Sequence, residues 1–68
     1  MNEVYFAAFL KQKGMSQSKF SRLLGFTPNT VSRWYNGWGN ISPDSCFKIK
    51  NVFPDFDLSR ARPDLWGV

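Results

Sequence analysis

The sequence contains no histidine, a single cysteine, and no acidic residue between Val4 and Pro43. Each absence narrows the chemistry. Without histidine, and with Cys46 alone, a metal site built on cysteine and histidine is excluded in practice, and no internal disulfide can form. Cys46 is expected as a small core residue. No apolar run approaches the roughly 20 residues that span a bilayer. Residues 4–10, VYFAAFL, are too short for a signal core, are preceded by Glu3 and lack a basic start, so the chain is expected in the cytoplasm. A glycine-rich phosphate loop with its lysine is missing, and no carboxylate pair suggests a pocket; Asp55 and Asp57 read as cap and turn residues. Neither catalysis, a cofactor nor a small-molecule substrate is expected.

What is present is aromatic and basic. Sixty-eight residues make one small domain, 1–68, and a chain this short buries only about 60% of its unfolded surface. Three tryptophans, two tyrosines and seven phenylalanines offset that handicap, because each buried ring removes roughly 150–250 Å² from water. Part of this supply is available to a partner subunit. The net charge of +4 is unevenly spread: Lys11, Lys13, Lys19, Arg22 and Arg33 lie in the acid-free stretch, while Asp44, Asp55, Asp57 and Asp64 gather later. A lysine-rich solvated surface would look the same, but this segment coincides with a structural motif, and the pair points to phosphate binding.

That motif is SQSKFSRLLGFTPNTVSRWYNG, residues 16–37. Phe20, Leu23 and Leu24 fall three to four apart, as on one face of a helix. Gly25 stands where that helix would stop in the left-handed conformation. Thr27 can then cap a new helix, with Pro28 in the first position, where no N–H is needed. Val31 and Trp34 point inward by spacing. A helix-turn-helix over 17–36 follows, and its usual task is to lay the second helix in the major groove of DNA. The outer face then carries Pro28, Asn29, Ser32, Arg33 and Asn36. Arginine can bond guanine with two donors and asparagine can pair with adenine, so Arg33 and Asn29 are the strongest base-reading candidates. At the start of the preceding helix, Gln17, Ser18 and Lys19 bring polar groups to a positive helix end, which suits a phosphate oxygen.

The remaining elements are read from caps and glycines. Asn2 caps a first helix with Glu3 in its first turn. Phe6, Phe9 and Leu10, with Val4 or Tyr5, form its buried stripe, and Gly14 closes it after Lys11 and Lys13. Met15 folds back onto the stripe, and Ser16 caps the second helix. Ser21 is a small packing residue. Residues 35–40 form a loop. There Trp38 is expected to cover the core, with the sugar–phosphate backbone or a partner subunit as alternatives, and Asn40 is a candidate phosphate contact. Ser42-Pro43-Asp44 opens a fourth helix to about Val52, with Cys46, Ile49 and Val52 or Phe53 inward and Lys48 and Lys50 outward; Pro54 ends it. The C-terminal helix and docking tail, 42–68, include a helical turn from Asp57 to about Ala61. Phe56, Leu58, Leu65 and Trp66 dock on the chain's own core or on a second copy.

Gln17-x-x-Phe20-Ser21-x-x-Leu24-Gly25-Phe26-Thr27-x-x-x-Val31-Ser32-x-Trp34-x-x-Gly37 resembles the Cro/cI-type helix-turn-helix of phage repressors. Ser21 departs from the alanine common in that family but is small enough for the tight helix pair. The tail Leu58-Ser59-Arg60-Ala61-Arg62-Pro63-Asp64-Leu65-Trp66 is similar to the ending of small Cro-like proteins and of the YdaS-type antitoxin group. The resemblance implies a lambda repressor-like fold and a homodimer on a pseudo-palindromic operator of double-stranded DNA. It assigns base reading to Pro28, Asn29, Ser32, Arg33 and Asn36, and phosphate binding to Gln17, Ser18 and Lys19; Thr27, Tyr35 and Asn40 are further phosphate candidates. Some Cro proteins replace the C-terminal helices with a β-hairpin. Here Ser42-Pro43-Asp44 and the lack of an alternating run predict an all-α bundle of four to five helices. Two functions follow: a sequence-specific transcriptional regulator, or an antitoxin-like or anti-repressor module whose aromatic tail grips a protein.

Overall fold

Three hydroxyl caps start the helices that build the frame. The Lys19 N–H donates to Ser16 Oγ at 3.1 Å, the Thr30 N–H to Thr27 Oγ1 at 3.4 Å, and the Ser45 N–H to Ser42 Oγ at 3.3 Å. Each satisfies one of the donors that a helix start leaves without an internal partner. In a computed structural model, which describes residues 4–67, the helices are α1 Tyr5–Lys13, α2 Gln17–Leu24, α3 Pro28–Asn36, α4 Pro43–Val52, α5 Leu58–Ala61 and α6 Pro63–Trp66. The described residues hold no strand, so the chain is all-α. The tail contributes two single-turn helices instead of one, because Pro63 restarts helical geometry after Arg62 leaves it. α1 begins at Tyr5 behind an extended Val4, which offers no side-chain cap; the expected cap Asn2 and Glu3 lie outside the described residues.

α1 buries Phe6, Ala7, Phe9 and Leu10. α2 adds Phe20, Ser21 and Leu24, and α3 adds Val31 and Trp34. Ile41, Cys46, Ile49 and Phe56 complete the buried cluster, against which Met15, Phe26, Phe53, Leu58 and Trp66 pack. The rings meet mostly edge to face: Phe6 with Phe20 at 5.1 Å, Phe9 with Phe56 at 5.0 Å, and Phe26 with Trp34 at 5.0 Å between centroids. Such contacts add about 0.5–1.5 kcal/mol each beyond area burial. Ser21 donates to the Ser18 carbonyl at 2.9 Å, so its hydroxyl is satisfied inside the α2–α3 contact. Burial pushes the Cys46 thiol above its usual pKa, as expected of a core cysteine.

Leu23 is 56% exposed, contrary to the expected inward face. α2 is only eight residues long, and Phe20 and Leu24, one turn apart, already take the stripe that meets the core. At the end of α4, Phe53 packs inward and Val52 faces out.

The tail docks on the chain's own core. Phe56 is fully buried. The Asp57 N–H donates to the Tyr5 hydroxyl at 2.9 Å, and Asp57 caps α5 by accepting from the Ser59 and Arg60 N–H groups. Lys13 bonds Asp55 at 2.6 Å. Arg62 donates to the Ile41 carbonyl at 2.7 Å while its other nitrogens hold Asp64 at 2.9 and 2.7 Å. Leu65 stays 47% exposed, outside this docking.

Two stability outcomes follow. Phe56→Ala should cost about 3–5 kcal/mol, the usual result of emptying a buried phenylalanine site, whereas Leu65→Ala should stay within about 0.5 kcal/mol; urea denaturation checks both. Hydrogen bonds from Lys13, Ser59 and Arg62, respectively, hold the carboxyls of Asp55, Asp57 and Asp64 below their ordinary pKa. A lowered folded-state pKa contributes stability above the unfolded value and loses it as pH falls through the folded one. Tm should therefore hold from neutral pH down to about 5 and drop below about 4, where carboxylates ordinarily protonate. Asp57→Asn should make that drop shallower in thermal melts across the range.

Candidate nucleic-acid interface

The turn between α2 and α3 depends on one backbone conformation. Gly25 adopts φ +75°, and its N–H reaches the Ser21 carbonyl. A side chain there would be strained, so glycine sets the angle at which α3 leaves α2. Thr27 then caps α3, and its hydroxyl also shares a 2.7 Å hydrogen bond with Thr30. α3 is fastened below by Val31 and Trp34, and its outer side is left to polar residues.

On that side Pro28, Asn29, Arg33 and Asn36 are exposed and Ser32 is half-buried. Asn29, Ser32 and Arg33 line one open trough of about 550 Å³, whose fourth wall is Trp38. A second hollow, lined by Thr30, Arg33, Trp34, Gly39 and Asn40, lies on the other side of Arg33. Arg33 thus belongs to both, and its guanidinium nitrogens lie 3.7–3.8 Å from where a Cβ on Gly39 would stand. Pro28 and Asn36 line neither hollow. The Asn36 amide donates to the Ser32 carbonyl at 2.8 Å, so it is engaged along its own helix.

Of the candidate phosphate residues, Asn40 lines the second hollow with Arg33, and the other five line neither hollow. Ser18 and Lys19 are exposed in the first turn of α2, and Gln17 is half-buried there. Thr27 and Asn40 are exposed at the two ends of α3, and Tyr35 is half-buried against the core. Among the described residues, the ion pairs join Lys13 to Asp55 and Arg62 to Asp64, both away from α3. Of the residues that line the trough, Arg33 is the one with a charge, and it is a cation. A group of three potential metal ligands does not occur among the described residues, nor does a helix long and apolar enough to cross a membrane.

Trp38 corrects the expectation that it covers the core: it is 72% exposed. Gly37, at φ +75°, ends α3 and turns the chain back, and the Trp38 N–H donates to the Arg33 carbonyl at 2.9 Å. That bond fixes the Trp38 backbone at the end of α3, and the residue lines the trough with Asn29, Ser32 and Arg33. The flanking glycines were the available signal, since a tryptophan between two residues without side chains has few neighbours to bury it. Thr30, in the second hollow, carried no signal beyond its place three residues after the cap.

A helix-turn-helix family model of the Cro/C1 type matches residues 6–58, and the chain belongs to that family. It is a DNA-binding transcription regulator by that membership. The match runs from α1 into the first residue of α5, so α6 lies beyond it. No curated protein and no solved structure matches the chain.

Gly37→Ala tests how tightly the end of α3 is set. The added Cβ would come within 2.9 Å of Val4 Cγ2 and would sit in the left-handed region. The strain alone costs about 1–2 kcal/mol, and the contact adds to it. Denaturant melts should show a loss of at least that size.

Proposed function

We propose that this protein is a Cro-like repressor of the phage type that reads a pseudo-palindromic operator as a homodimer, with α3 in the major groove and the whole chain, 1–68, acting as one unit. The observation that carries the reading is the outer side of α3, where Asn29 and Arg33 stand exposed on a segment without a carboxylate from Val4 to Pro43. In this arrangement Pro28, Asn29, Ser32, Arg33 and Asn36 face the bases. Arg33 takes guanine O6 and N7, and Asn29 takes adenine N6 and N7. Gln17, Ser18, Lys19, Thr27, Tyr35 and Asn40 flank the groove and position the domain on phosphates. Exposed Phe47 and Leu65 supply apolar surface for a second copy.

A protein-gripping tail, as in an antitoxin or anti-repressor, has less support. Phe56 is fully buried, and Leu58 and Trp66 pack on the core, so most of the tail's apolar groups are committed within the chain.

Selection from a random duplex pool tests the reading. The wild type should enrich an inverted repeat with half-sites about one helical turn apart. Arg33→Ala should relax preference at one position per half-site and lose about 1–3 kcal/mol. Affinity for the enriched sequence should fall by roughly 0.9 log units per log unit of salt for each phosphate neutralised. Affinity that stays flat with salt, or a pool that yields no enrichment, would defeat the proposal.

A further inference from the structure

The geometry points to Trp38 as a DNA-contacting residue, its indole closing one side of the α3 trough against an apolar group of the duplex, a thymine methyl or a deoxyribose. This rests on the reading that α3 enters the major groove. Among the described tryptophan, tyrosine and phenylalanine residues, Trp38 and Phe47 alone are exposed, and Phe47 packs edge-on against Trp66 at 5.4 Å. Trp38 turns 72% of its surface to water. One exposed apolar side chain is ordinary on a folded surface, so what covers Trp38 is read from its position.

Its placement says what the cover is. The Trp38 N–H is tied to the Arg33 carbonyl at 2.9 Å, so the root of the side chain is fixed to the last turn of α3 rather than hanging from a free loop. The indole shares its trough with Asn29, Ser32 and Arg33, the side chains with donors for base edges and phosphates. Arg33 gives the trough a cation, none of its lining residues is acidic, and the chain carries no carboxylate from Val4 to Pro43, which favours a polyanion over a protein surface. An apolar wall beside an arginine fork matches what the major groove presents, where a thymine methyl stands among acceptor groups and the sugars line the edge.

Operator binding by Trp38→Ala and Trp38→Phe, with the enriched sequence as probe, tests the inference. Both variants should keep the wild-type Tm, since the ring is exposed. Trp38→Ala should bind about tenfold more weakly or worse, within the range that a lost base-edge contact gives, and Trp38→Phe should recover most of the loss. In Trp66→Phe protein, where Trp34 is the buried companion, operator binding should shield the remaining accessible emission from acrylamide. Deoxyuridine in place of each thymidine then separates the two groups. A several-fold loss at one position in wild type, absent in Trp38→Ala, assigns the methyl; no loss at any position assigns the sugar. Wild-type affinity in Trp38→Ala, with acrylamide access unchanged on the operator, would overturn the inference while leaving α3 in the groove. So would a loss explained wholly by weaker self-association off DNA, which sedimentation equilibrium measures and which would place a second copy on the ring. A wild-type protein that enriches no sequence fails at the earlier step, the reading of α3 itself.

Discussion

Phe20 holds the assembly together. It is fully buried, meets Phe6 of α1 edge-on at 5.1 Å, and lies nearly parallel to Phe26 of the turn and Phe53 beyond α4, each at 6.2 Å. One side chain of α2 therefore touches the first helix, the turn and the segment after the fourth helix. Trp34 extends the same stack by meeting Phe6 at 5.7 Å and Phe26 at 5.0 Å. The orientation of α3, and with it everything displayed on its outer side, is set by rings packed beneath it. In a chain too short for a large core, this concentration of aromatic contact takes the place of a disulfide or a metal.

The helices were legible because their ends carry local chemistry. Ser16, Thr27 and Ser42 each cap with a side-chain oxygen, Pro28 and Pro43 sit where no N–H is required, and Gly14, Gly25 and Gly37 adopt positive φ. These signals depend on residues within a few positions of one another, which a sequence displays directly. Leu23 was misread for the opposite reason. Spacing showed that it could join a helical face, but only the position of α1 and α3 decides which apolar residue of α2 meets the core. The tail was partly legible: Phe56, Leu58 and Trp66 were expected to dock, yet the grip of Arg62 on the Ile41 carbonyl spans 21 positions.

For the interface, periodicity sufficed to separate the two sides of α3, since Val31 and Trp34 go in and Asn29, Arg33 and Asn36 stay out. It could not show that Asn36 would bond back to the Ser32 carbonyl, or that Arg33 would border two hollows. Trp38 was unreadable by pattern, because a loop has no period. Its position follows from Gly37 and from one backbone hydrogen bond.

The docking of the tail has a consequence for how the chain is made. Tyr5 bonds Asp57 across 52 positions and Lys13 bonds Asp55 across 42, while α2 and α3 meet through a turn of three residues. Contacts so distant in sequence each close a long loop, and neither can form until its later partner has been made. A nascent chain that has emerged only as far as α3 carries its turn and cap residues but lacks the ring of Phe56 that meets Phe9. Until that residue leaves the ribosome, part of the aromatic core lies open to solvent. The residues that specify the helix pair are made first, and the core can close only after Phe56 has followed them.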